Sequence, residues 1–167
     1  MLGTLCLCEF FSFGESTLKA SDVKIGIVTS RFNEIITSKL LLGAKNLLIR
    51  RGINLENIIE CEVPGSFEIP LAAQLLIDNK KVHGVVALGA VIKGTTDHYS
   101  YVCSSATSGL MNVQLSRSVP VGFGILTCDS MEQAIDRAGG KLGNKGADVA
   151  DTILEMIMVK STLLGKI

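Results

Sequence analysis

From Val23 onward the chain repeats one pattern four times, an apolar and β-branched run that ends in a polar turn and gives way to helical periodicity. The runs are VKIGIVTS (Val23–Ser30), NIIECEV (Asn57–Val63), GVVALGAVI (Gly84–Ile92) and VPVGFGIL (Val119–Leu126). After the first, Ile35, Ile36, Leu40, Ala44, Leu47 and Leu48 recur at helical spacing until Gly52. Helices are likewise predicted from about Phe67 to Asn79 and from about Tyr99 to Arg117. After the fourth run, Asp129 with Glu132 and Ser130 with Gln133 both fit a capping box; the helix that follows breaks at Gly139-Gly140 and resumes near Lys145 to Lys160.

Strands that alternate with helices of this length need crossover connections, and crossovers give parallel strands covered on both faces. The economical fold is therefore α/β, a flavodoxin-like three-layer arrangement around a four-stranded parallel sheet. In such sheets ligands bind beyond the carboxyl ends of the strands. That rule collects four polar loops on one edge: Arg31-Phe32-Asn33, Pro64 to Glu68, Lys93 to His98, and Thr127 to Ser130.

Within those loops, some residues are more telling than others. His98 stands where a strand gives way to a helix, a place for a proton-transfer group as well as for a simple cap, whereas His83 reads as surface. Lys93-Gly94-Thr95-Thr96 opens a helix with a glycine and two hydroxyls, which suits an anion such as phosphate and also suits a plain turn. Glu68 at a helix start satisfies the dipole without any function. Phe32 is the odder residue, an aromatic on a polar loop, and a stacking surface for a planar ring explains it.

Two glycine-rich segments do not qualify as nucleotide loops. GGKLGNKG (Gly139–Gly146) has Asn144 before Lys145 and no hydroxyl after it, and Gly122-Phe123-Gly124 lies inside a strand. Arg137, Lys141 and Lys145 form a basic cluster that is either a solvated face or a phosphate site. No spacing suits a metal, and no Ser/His/Asp or Cys/His pairing is visible, so the expected chemistry uses no metal.

Composition narrows the partners. With 16 Lys and Arg against 16 Asp and Glu, the chain has no field to gather nucleic acid or an anionic membrane. Five cysteines without metal-ligand spacing, two of them inside apolar runs, fit a reducing cytoplasm. Residues 1–20 differ from the rest; Glu9 interrupts their apolar stretch and no positive charge precedes it, so they read as an N-terminal arm or a strand shared with a neighbour. Residues 21–167 then form a single domain.

Five segments together carry a resemblance: SRFN (30–33), VPGSFEIP (63–70), GAVIKGTTDHYSYV (89–102), PVGFGILTCDSMEQAIDRAG (120–139) and GNKGAD (143–148). In order and spacing, from about Val23 to Val159, the chain resembles the 6,7-dimethyl-8-ribityllumazine synthase family. The resemblance implies condensation of 5-amino-6-ribitylaminouracil with 3,4-dihydroxy-2-butanone 4-phosphate, releasing phosphate and water, as the penultimate step of riboflavin biosynthesis, with no cofactor. It implies that Phe32 stacks on the pyrimidine, that backbone groups near Val91 and Ile92 contact it, and that Ser66 and Glu68 engage the ribityl chain. Asn33, Phe67 and Lys93 join the substrate-facing set. Gly94, Thr95 and Thr96 then sit near the phosphate, Arg137 pairs with it from the adjacent subunit, and His98 moves protons. Phe123 and Lys145 complete the pocket from across that interface.

The resemblance further implies a homopentamer and permits twelve pentamers to close into a 60-subunit icosahedral shell. Two departures stand out: Ser100 replaces a frequent acidic residue, with a lower pH optimum expected, and Lys93 stands where arginine is frequent. The alternative is a member of the same fold that binds a flavin or lumazine, or builds a shell, without catalysis.

Overall fold

The first apolar run is buried along its whole length as β1 (Ile25–Ser30), because it lies between two parallel neighbours, β2 (Ile58–Val63) and β3 (Gly84–Ile92). The computed structural model describes residues 19–165, so the expected arm over residues 1–20 falls almost wholly outside the described residues. With β4 (Val121–Cys128) beyond β3, the sheet order is β2-β1-β3-β4 and every pairing is parallel, the predicted α/β flavodoxin-like arrangement. Two details differ from expectation. Thr127 and Cys128, read as loop, extend β4, and the edge strands β2 and β4 alternate buried with exposed positions. Only the two central strands have a neighbour on either side, and β1 is buried throughout, its polar Thr29 and Ser30 included, while β3 is apolar throughout.

Side-chain alternation along β3 builds two cores at once. Val86, Leu88 and Ala90 face α1 (Glu34–Arg50), α4 (Met131–Arg137) and α5 (Lys145–Leu163), while Val85 and Ala87 face α2 (Ile69–Leu75) and α3 (His98–Arg117). Burying an isoleucine such as Ile153 stabilises the fold by roughly 1.5–3 kcal/mol. No helix among the described residues is long and apolar enough to cross a membrane.

Local chemistry sets the helix limits. Pro70 occupies the first turn of α2, where its missing N–H does no harm, and the predicted longer helix continues past Leu75 only as a wider π turn (Leu76–Lys80) ending at Lys81 with φ 55°. Arg117 clamps that turn to α3 through two bonds to Asp78, at 2.8 and 3.0 Å, and this bonding holds the Asp78 carboxyl below its ordinary pKa. Of the two capping boxes, Ser130 with Gln133 is built: Ser130 Oγ accepts the Gln133 N–H at 3.3 Å, while Gln133 Oε1 accepts from the Asp129 backbone at 3.1 Å.

At the predicted helix break, β5 (Ala138–Gly140) and β6 (Gly143–Asn144) form a short antiparallel ribbon. Asn144 then docks α5 onto α1. Its Oδ1 accepts the Ala147 N–H at 3.2 Å and its Nδ2 donates to the Lys39 carbonyl at 2.8 Å. Side chains at Gly43 or Gly146 would collide with Asn144 or the Leu40 carbonyl, so the glycines of this region permit a close helix crossing.

His83 corrects its surface reading. It is half-buried, its Nδ1 accepts the Lys24 N–H at 2.9 Å, and its own N–H donates to the Lys24 carbonyl at 2.8 Å, which seals the start of β3 to the segment leading into β1. Burial, helped by the Lys160 ammonium, lowers its pKa below 6.5.

Candidate active site

The loop after β1 is lashed to the end of β2. Arg31 N–H donates to the Val63 carbonyl at 2.8 Å and Phe32 N–H to the Pro64 carbonyl at 3.1 Å. The next residue, Asn33, adopts the left-handed region at φ 61° and donates from Nδ2 to the Ala90 carbonyl at 2.8 Å, tying the loop to β3 as well. These bonds lift the Phe32 ring into solvent, where it is 69% exposed. Asn33 itself, an expected substrate contact, does not line the cleft; its amide holds the loop that presents Phe32.

Phe32 forms one wall of an open cleft of about 670 Å³ beyond the ends of β1, β2 and β3. Ser66, Phe67, Glu68, Val91, Ile92, Gly94, Thr96 and His98 also line it, as expected from sequence. Lys93 and Thr95 belong to the same loop but not to the lining; Lys93 Nζ stands 3.8 Å from Asp129 Oδ1, an exposed pair of little energetic weight. Exposed phenyl rings at positions 32 and 67 give apolar walls that accept a planar ring.

At the other end of the cleft, the 20-residue α3 begins at His98. Asp97 makes no side-chain cap bond at the positive end of this long helix, and Gly94, Thr96 and His98 line the cleft there. His98 is exposed, and among the described residues no hydrogen bond or ion pair restrains its imidazole; Ser100, also exposed, supplies no carboxylate.

Sequence reasoning missed Tyr99 and Val102 as cleft residues. Val102 lies four positions after His98, one helical turn on, and that spacing was the available signal. Burial raises the Tyr99 phenol pKa, and Thr127 and Cys103 are the side chains beside its hydroxyl. Burial likewise raises the thiols of Cys103 and Cys128, so both stay protonated and unreactive near neutral pH.

The remaining expected residues gather elsewhere. Phe123, Arg137 and Lys145 line a shallow recess of about 240 Å³ along the edge strand β4, together with Thr127 and Val149. Arg137 donates from Nη1 to the Gln133 carbonyl at 3.0 Å and has no carboxylate partner among the described residues; Lys145 Nζ contacts Asp148 at 2.7 Å. Within one chain the cleft and the recess are separate cavities.

A parallel sheet whose carboxyl-end loops pair an aromatic-walled cleft with a helix N-terminus and a free imidazole defines a doubly wound α/β enzyme for a planar ring beside an anion. The family described as 6,7-dimethyl-8-ribityllumazine synthase matches residues 22–161. The synthase of that name from Desulfovibrio desulfuricans is 47% identical over 146 residues, covering 87% of this chain and 94% of the relative. Its counterpart in Lactiplantibacillus plantarum is 48% identical over 147 residues, covering 88% and 92%. The chain belongs to the 6,7-dimethyl-8-ribityllumazine synthase family and is a transferase of riboflavin biosynthesis, as the sequence resemblance implied.

Proposed function

We propose that the cleft joins 5-amino-6-ribitylaminouracil to 3,4-dihydroxy-2-butanone 4-phosphate, and that the site is completed by the β4 recess of a neighbouring subunit. The observation that carries this reading is the separation itself: the ring-binding walls and the proton carrier lie in one cavity, the unpaired guanidinium in another. A second copy that brings its recess against the cleft supplies the missing cation. Exposed apolar side chains support such packing, among them Leu71 and Leu75 on α2, Tyr101 and Leu115 on α3, and Phe123 on β4. A closed ring of identical contacts, the pentamer implied by the resemblance, satisfies every copy at once.

In this reading Phe32 stacks on the pyrimidine, with backbone groups at Val91 and Ile92 along its edge, and Ser66 and Glu68 hold the ribityl chain. The Gly94-Thr95-Thr96 loop and the α3 N-terminus receive the phosphate, and Arg137 of the neighbouring subunit pairs with it bidentately. Phosphate leaves against that charge. His98 takes a proton from the butanone carbon skeleton during elimination and returns one as the second ring closes. Two reactants bound side by side react as an effectively intramolecular pair, which supplies much of the acceleration without a cofactor. The enzyme acts in the cytoplasm as one catalytic domain.

The test is an assay of lumazine absorbance with the purified protein against an enzyme-free blank. Co-assembling His98→Ala with Arg137→Ala subunits should then restore roughly a quarter of the sites, because a shared site can draw each intact group from a different copy. No recovery from a mixed assembly would overturn the shared site.

A further inference from the structure

Ser30, the last residue of β1, is fully buried, and its hydroxyl is the buried side-chain polar atom that finds no hydrogen-bond partner among the described residues. Native interiors rarely leave such a group dry and unpaired. Its surroundings point to what it serves. A Cβ on Gly89 of β3 would stand 2.6 Å from Ser66 Oγ, 3.3 Å from Ser30 Oγ and 3.2 Å from Ile69 Cδ1. Two serine hydroxyls from different elements therefore pack against the same face of Gly89, so close that a side chain there would collide with Ser66, with Ile69 as an apolar wall beside them. Ser66 is 6% exposed and lines the cleft, so it stands between Ser30 and the substrate side.

We propose that Ser30 is a positioning residue for Ser66: the two hydroxyls, which pack on the same face of Gly89, share one hydroxylic oxygen, and this bridge fixes the Ser66 rotamer that meets the polyhydroxylated chain of the substrate. The oxygen comes from water or from a substrate hydroxyl, both of which donate and accept as the site requires. A serine hydroxyl is otherwise free to turn among three staggered positions, and fixing it in advance removes that ordering cost at the moment of binding. The proposal rests on the reading that Ser66 faces the ribityl chain.

Ser30→Ala in the assembled enzyme tests it, with Gly89→Ala as a second variant whose methyl group would press Ser66 Oγ out of place. The expected result is a KM for the ribityl substrate raised about fivefold, the scale of one neutral hydrogen bond, with kcat and the KM for the phosphate substrate unchanged. A lower melting temperature of the free Ser30→Ala protein identifies water as the bridge; an unchanged or higher one identifies a substrate hydroxyl. If Ser66→Ala raises that KM and Ser30→Ala does not, the bridge is overturned and the Ser66 reading stands. If neither variant moves it, Ser66 does not meet the chain and both fail. An equal change in kcat, or in both KM values, would mark a general loosening of β1 and also overturn the proposal.

Discussion

The cleft beyond β1, β2 and β3 and the recess along β4 share one sheet yet differ in kind. The cleft has aromatic walls, hydroxyls, a helix N-terminus and an imidazole, all from loops that follow strand ends. The recess is shallower and holds Arg137 and Lys145, presented by helices on the opposite layer of the fold from α3. The contrast teaches that a strand-end rule finds where a ligand sits but not every group that charges the site. In the proposed shared site, a side chain at the far edge of the sheet joins the cleft only when a second copy is placed against it.

The strongest way to break this contrast is at the cleft. His98→Ala should lower kcat by about 10²–10³, the usual weight of a general acid–base group, and leave the melting temperature unchanged because the exposed ring has no partner to lose. A kcat within a few fold of the parent would remove proton transfer from the cleft. At the recess, Arg137→Ala should raise KM chiefly for the phosphate substrate, by roughly 10- to 100-fold for a lost charge-assisted bond. If the KM for the ribityl substrate rose as much, the recess would not be an anion half-site.

Asn144→Ala separates support from chemistry. Loss of its cap on α5 and its bond to Lys39 should cost about 1–2 kcal/mol in denaturant unfolding. The Phe32-walled cleft should still bind the pyrimidine substrate, since Asn144 is not among the residues that line it. Equal damage to both cavities would deny that they are independent within a chain.

The smallest effect lies at the opposite end of the strands, where His83 serves neither cavity. Its folded pKa is lowered, so its contribution to stability is present above the unfolded value of 6.5 and is lost as pH falls through the depressed folded value. The melting temperature should therefore sag below pH 6.5, with kcat at saturation following its own profile. His83→Gln should flatten the sag, and an unchanged slope would assign it to other groups.

Much of the fold was legible because its signals are local. Apolar runs set the strands, Ser130 with Gln133 set a cap, and the two glycines at 139 and 140 marked where α4 had to stop. The cleft was legible for the same reason, since Phe32, Ser66 and His98 each stand at a strand-to-helix turn. Residues whose role depends on distant contacts were not. Nothing near Asn33 in the chain foretold its bond to Ala90, 57 positions away, and His83 read as surface and instead holds Lys24, 59 positions away. Tyr99 gave no sign that it would line the cleft.

By itself, then, the sequence determined the order and type of elements, the family, and the loops that make the cleft, because strand and helix periodicity, turns and caps act over a few residues. Only the tertiary structure decided that Arg137 and Lys145 would share a recess away from His98, that Asn144 would lock a helix crossing, and that Ser30 would end unpaired beside Ser66. Those outcomes depend on how two layers of helices pack onto one twisted sheet, and no short-range pattern in the chain encodes the distance between groups that packing brings together.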